Sequence, residues 1–150
     1  MATKAEIAKE LFLKGYNCSQ SVFGAFCEDF GIDIQTGLML SSGFGGGFAR
    51  KREVCGAVSG AVMVLSLIHG YSTTDDAQAK IQLYEEVRKV LKAFEDETGS
   101  IICRELLGLE EKESVPTPEA RTKEYYKKRP CAELVYLAAQ CVENHIEGLK

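Results

Sequence analysis

Six cysteines, with no tryptophan, stand out in this chain of 150 residues. Thiolates attack disulfides, ligate metal ions and hold iron–sulfur clusters, so cysteine placement is the first guide to chemistry. Cys18 directly follows Asn17, Cys55 opens a glycine-containing apolar stretch, Cys103 comes three residues after Ser100, and Cys131 follows Pro130. Each of these four falls in the first turn of a separate expected helix. A helix N-terminus carries partial positive charge and unpaired N–H groups, which favour thiolate over thiol. The expectation is therefore four thiols of lowered pKa, prepared to attack or to ligate. Their separations of 37, 48 and 28 positions contain no C-x-x-C, so neither a thioredoxin-type pair nor a zinc knuckle is written locally.

Cys27 and Cys141 are different. Along one straight helix Cys18 and Cys27 lie roughly 13 Å apart on opposite faces, and Cys131 and Cys141 about 15 Å apart. Both spans exceed the ~7 Å limit for a disulfide. We read Cys27 and Cys141 as small core hydrophobes.

The elements that must position the other four are helical. Thr3-Lys4-Ala5-Glu6 has the capping-box pattern, with Ile7, Leu11 and Phe12 behind it and Gly15 as the stop. Asn17, with Gln20 three places on, caps a second helix that runs to Gly31. A short piece spans about Asp33 to Leu40. An apolar helix is expected from about Glu53 to Ile68, ending at Gly70. Thr73 or Thr74 caps a long amphipathic helix with Ala77, Ile81, Tyr84, Val87, Leu91 and Phe94 at helical spacing and Gly99 as its end. Ser100 caps a short helix ending near Gly108. A polar loop, Leu109 to Pro118, leads to a charged helical piece, Glu119 to Lys128, and Pro130 opens a last helix to about Ile146. No segment alternates like a strand. The expected fold is all-α, a compact single-domain bundle of about six to seven helices over residues 1–150.

Cys55-Gly56-Ala57-Val58-Ser59-Gly60 reads C-G-A-x-x-G, after a lone cysteine in Asn17-Cys18-Ser19-Gln20 and before lone cysteines at 103 and 131. In these motifs the chain resembles the C_GCAxxG_C_C family, whose members are described as redox-active. The similarity runs from Gly15-Tyr16-Asn17-Cys18 to Pro130-Cys131. One position differs in order: Cys55 precedes Gly56, where the family label sets glycine before cysteine. The resemblance implies a small helical protein that binds an iron–sulfur cluster or cycles disulfides, with Cys18, Cys55, Cys103 and Cys131 as the redox or metal-binding set.

Around that set, Gly56 and Gly60 stand one turn apart and would admit a second helix, or a cluster's inorganic sulfides, close to Cys55. Gly45, Gly46 and Gly47 belong to Gly43-Phe44-Gly45-Gly46-Gly47-Phe48, which lacks both the dinucleotide pattern after a strand and a Walker Gly-Lys-Ser/Thr. These glycines are expected to let the backbone pass close to Cys55. Arg50, Lys51 and Arg52 form a basic turn that could contact an anionic cluster or a partner. His69 and His145 fall near helix ends, where positive charge is favourable. No Ser-His-Asp order or H-E-x-x-H is present, and Tyr125-Tyr126 reads as packing.

Composition narrows the class. The net charge of −4 argues against a nucleic-acid-coating protein. The longest mostly apolar run, Ala61 to Ile68, is far short of the ~20 residues of a membrane span. The first fifteen residues carry no secretory pattern, so the cytoplasm is the expected compartment, where thiols stay reduced. The leading expectation is a redox module whose four cysteines converge on an iron–sulfur cluster that carries electrons to a protein partner. The alternatives are a thiol–disulfide protein using reversible pairs among the same residues, and a structural four-cysteine zinc site in a scaffold. A homodimer burying a leftover apolar face is a further expectation.

Overall fold

The computed structural model describes every residue except 1, 110–117, 119, 124 and 126–128. All but the two end residues of the expected Leu109–Pro118 loop, and half of the Glu119–Lys128 piece, therefore lie outside the described residues.

Local side-chain capping starts the first three helices. In α1, Lys4–Leu13, the Thr3 hydroxyl accepts the Glu6 N–H and the Glu6 carboxylate accepts the Thr3 N–H, both at 3.1 Å. Asn17 and Gln20 make the same reciprocal pair, at 2.9 and 3.1 Å, ahead of α2, Cys18–Phe26. A 3₁₀ turn, Cys27–Phe30, continues α2 until Gly31 stops it at φ 84°. Asp33 takes the Thr36 N–H to begin α3, Ile34–Ser41.

Beyond the short Gly45–Phe48 turn, whose Gly46 and Gly47 angles are not helical, four further helices follow among the described residues: α4, Gly56–His69; α5, Ala77–Thr98; α6, Cys103–Leu106; and α7, Cys131–Gly148. The fold is all-α, and the described residues contain no strand. Val54 and Ile102 form an isolated antiparallel bridge.

Four helix starts differ from expectation. Asp76, not Thr73 or Thr74, caps α5 by accepting the Ala79 N–H at 3.0 Å. Ile102 occupies the cap position of α6, while the Ser100 hydroxyl accepts the Ile102 N–H and donates to the Glu105 carboxylate. Pro130 and Cys55 are themselves cap residues, so Cys55 sits just before α4 rather than inside its first turn.

Helix α2 packs on α1, α3 and α4, and α7 closes the bundle against α1, α2, α4 and α5. Phe12, Phe23, Phe26, Leu65, Phe94 and Val142 are fully buried in the core. Each such side chain contributes roughly 1.5–3 kcal/mol by leaving water. Cys27 and Cys141 are buried in the same core. Helix α5 reaches it from Val87 onward: Val90 and Phe94 are buried, whereas Ile81 and Tyr84 remain 46% and 54% exposed. The α2–α4 contact is close because Gly60 has no side chain. A Cβ there would stand 2.7 Å from the Ser19 carbonyl oxygen and 3.1 Å from Val22 Cβ. Gly56 extends the seam, facing Cys18 Cβ, so the helix starts that bear Cys18 and Cys55 are drawn together.

Candidate functional site

Cys18, Cys55, Cys103 and Cys131 line one cavity of about 250 Å³, together with Gly45, Gly46, Arg50, Arg52, Gly56, Arg121 and Tyr125. All six cysteines carry free thiols, and Cys27 and Cys141 stand apart in the core. The volume is many times the ~10–15 Å³ that one water requires.

Each sulfur arrives by a different local device. Cys18, Cys103 and Cys131 are the first residues of α2, α6 and α7, and Cys55 caps α4. Two extended segments meeting at the Val54–Ile102 bridge tie Cys55 to Cys103. The Cys55 N–H donates to the Ile101 carbonyl at 2.8 Å, and the Cys103 N–H to the Glu53 carbonyl at 2.6 Å. Gly60 serves this placement by admitting α2 itself, while Gly56 faces Cys18 Cβ and also lines the cavity.

The glycine-rich loop turns a cation inward. Gly46 and Gly47 hold φ 69° and 71°, and Phe48, Ala49, Arg50 and Arg52 follow at 68°, 52°, 67° and 60°. Left-handed angles cost a non-glycine residue roughly 1–2 kcal/mol, and strain of this kind concentrates where a site requires it. The Arg52 and Glu53 N–H groups donate to the Gly46 and Gly47 carbonyls, which locks the loop. At Gly47 a Cβ would collide with the Glu53 nitrogen at 2.7 Å and with Cys103 Cβ at 2.8 Å. The outcome is a buried Arg52, 7% exposed, whose Nη1 donates to Cys103 Sγ at 3.6 Å. Arg50 also lines the cavity; Lys51 is exposed and does not.

The thiols do not share the uniformly lowered pKa expected from their helix positions. Burial pushes Cys55 up to about 12, although the Val58 and Ala57 N–H groups of the helix start pull the other way. Burial also raises Cys103, against the opposing pull of Arg52. Cys18 is raised well above the ordinary thiol value because it donates a hydrogen bond to Cys131, and burial adds to the shift. Cys131 alone falls, to about 7, through that accepted bond and the positive charge of Arg129, Arg52 and Arg121. Helix starts lower thiol pKa values, but desolvation of a charge is the larger effect in a buried pocket. Cys131 is thus the thiol readiest to ionise, and burial favours the protonated form of the other three.

Several contributors were not evident in sequence. Arg121 is anchored by bonds to the Phe12 and Tyr16 carbonyls and lies over the Phe12 ring at 4.1 Å. Tyr125, read from sequence as packing, lines the cavity, and burial raises its hydroxyl to about 12. Tyr126 lies outside the described residues. Arginine beside tyrosine in a polar segment carries no local mark of a site, so no sequence signal singled these residues out.

His69 and His145 do not contribute to the cavity. Their Nε2 atoms lie 2.9 Å apart, and His145 Nε2 is 3.4 Å from Glu86. Among the described residues, this is the group whose three ligating atoms fall within 4.8 Å of one another. The Cys18 and Cys131 thiols hydrogen-bond, but no three of the cavity sulfurs lie within 4.8 Å of one another, so the four do not form the ~3.8 Å edges of a tetrahedral zinc–thiolate site.

The described helices include none long and apolar enough to cross a membrane. No curated protein and no solved structure matches the chain. A model of the family described as "Putative redox-active protein (C_GCAxxG_C_C)" matches residues 16–145, a span that takes in all four cavity cysteines and the glycine-rich loop. The chain belongs to the C_GCAxxG_C_C family.

Proposed function

We propose that this protein is an electron-carrying module in which Cys18, Cys55, Cys103 and Cys131 hold an iron–sulfur cluster. The observation that carries the reading is the meeting of four sequence-distant thiols on one cavity of about 250 Å³. Four thiolates are the usual ligand complement of such a cluster, which supplies a low-barrier electron couple when bound. A polyatomic group suits a cavity whose sulfurs are more spread than one zinc ion requires, so the zinc-scaffold alternative is the weaker fit.

The chain's own residues have definable tasks. Cys131, with its pKa near 7, offers the first thiolate at neutral pH. Cys18, Cys55 and Cys103 release their protons on ligation, as thiol ligands must. Arg52 on Cys103, with Arg50 and Arg121 on the cavity wall, offsets the accumulated negative charge. The Val58 and Ala57 N–H groups at Cys55 tune the potential through hydrogen bonds to sulfur. A reducing compartment such as the cytoplasm and an electron-transfer protein partner follow from this reading. A homodimer remains a separate proposal, tested by sedimentation.

A second reading rests on the Cys18–Cys131 hydrogen bond. The Cys131 thiolate would attack one sulfur of a partner disulfide and expel the other as a thiolate, which takes up a proton. Cys18 would then lose its proton and attack Cys131 sulfur, closing a Cys18–Cys131 disulfide and releasing the partner as a dithiol.

Anaerobic purification and reconstitution, followed by iron, sulfide and zinc analysis and visible absorption, separates the readings. The cluster reading expects brown protein with matched iron and sulfide. Cys18→Ser, Cys55→Ser, Cys103→Ser and Cys131→Ser each lose most of the iron, while Cys27→Ser and Cys141→Ser keep it. Colourless, iron-free protein that exchanges disulfides at Cys18 and Cys131 would establish the second reading instead, and stoichiometric zinc the third.

A further inference from the structure

Helix α4 is capped by a cysteine and α7 begins at one, and each carries a histidine 14 residues after it: Cys55 and His69, Cys131 and His145. Because both the cysteine ends and the histidine ends meet, the two helices run parallel. Fourteen residues span roughly 21 Å of helix, so the histidine pair lies at the opposite pole of the bundle from the cavity. There α5 adds Glu86, and three helices meet through two imidazoles and a carboxylate.

The side chains are largely shielded, His145 at 10% and Glu86 at 14% exposure. The two histidine rings are edge to face, at 78° with centroids 5.1 Å apart, and their Nε2 atoms point at each other. Lys89 holds Glu86 Oε1 at 2.8 Å and leaves Oε2 directed at His145. Zinc bonds nitrogen at about 2.0–2.1 Å, so tetrahedral ligand atoms stand roughly 3.3 Å apart. The observed 2.9 and 3.4 Å separations bracket that edge. A carboxylate oriented from behind by another side chain is also the usual outer arrangement of a metal ligand.

We propose that His69, Glu86 and His145 form a second metal site, for a divalent ion of the zinc class, with a fourth position open to water. The ion replaces the proton shared between the facing imidazoles and clasps α4, α5 and α7. Nitrogen and carboxylate donors separate this site chemically from the four-thiol cavity. It stands whether the cavity holds a cluster, a disulfide or nothing.

The chain has only two histidines, so their imidazole signals report the site without ambiguity. Zinc is titrated anaerobically into the untagged, metal-stripped full chain to beyond two equivalents, followed by NMR. Both imidazoles should shift together as one equivalent fills the site, and Glu86→Gln and His145→Gln should weaken that binding at least tenfold. Cobalt at the same site should give ligand-field bands without a sulfur-to-cobalt charge-transfer band. Imidazole signals unmoved by excess zinc, or affinity unchanged in Glu86→Gln, would overturn the proposal and leave a hydrogen-bonded triad only. If His145→Gln fails to fold, the titration of the unaltered chain decides the matter by itself.

Discussion

The four cavity thiols differ because each weighs the same two forces differently. At Cys55, loss of water outweighs two helix-start N–H bonds, whereas at Cys131 an accepted hydrogen bond and three arginines outweigh burial. In metal-free protein, alkylation of Cys131 should therefore rise through about pH 7 and level off above it, ahead of the other thiols. Cys18→Ala should move that midpoint upward, read by mass spectrometry of the labelled residue across pH. The signs for stability follow. Cys131 is an acid with a lowered pKa, so its contribution is present above the ordinary thiol value and lost as pH falls through about 7. Cys55 is raised to about 12 and resists ionisation, so its contribution is full below the ordinary thiol pKa and lost as pH climbs from there toward 12. Cys18 and Cys103 share the upward direction, and metal-free protein should show a lower urea midpoint at pH 10 than at pH 8. On the proposed cluster reading, Arg52 acts on the loaded site. Arg52→Gln removes a positive charge beside Cys103, makes electron uptake harder and should lower the midpoint potential in a redox titration, while Arg52→Lys stays closer to the parent.

At the scale of elements, position comes from close contacts between backbones. The α2–α4 seam exists because Gly60 presents no Cβ to the Ser19 carbonyl. Gly60→Ala should cost about 1–3 kcal/mol, as overpacking does in a filled core, measured as a lower urea midpoint. Its second effect should be reduced iron retention, because the same seam brings Cys18 to Cys55. The glycine-rich loop works through backbone angle as well as space: Gly47 has φ 71° and lies against Cys103. The Val54–Ile102 bridge is small in extent, yet it joins two cysteines that are 48 positions apart in the chain. By contrast, Thr3→Ala removes one cap of α1 far from the cavity, and should cost about 1 kcal/mol with iron content unchanged.

For the molecule as a whole, the parallel course of α4 and α7 sets cysteine chemistry at one pole and an imidazole–carboxylate group at the other. Both poles lie between helices whose shared core includes Leu65, Phe94 and Val142. A group that binds only the folded chain stabilises it by mass action. Loading the cysteine cavity should therefore raise the thermal midpoint, and cysteine-to-serine variants at the four positions should lose that rise while remaining helical by circular dichroism.

What could be read in the amino-acid order was whatever acts over a few residues. Thr3 with Glu6 and Asn17 with Gln20 sit three apart, within reach of one helical turn, and Gly31 and Gly99 end helices where their permissive backbones predict. The all-α class and the choice of Cys18, Cys55, Cys103 and Cys131 over Cys27 and Cys141 followed from such short-range signs together with the family motif. Tertiary structure alone decided the rest. Arg52 beside Cys103, Arg121 over Phe12 and Tyr125 on the cavity are meetings across loops and helices, and polar segments carry no periodicity that announces them. His69 and His145 read as helix ends because their pairing spans 76 positions. The balance of thiol acidities was hidden for a related reason: a helix start belongs to neighbours in sequence, but desolvation belongs to everything packed around the sulfur, and that is settled only when the chain closes on itself.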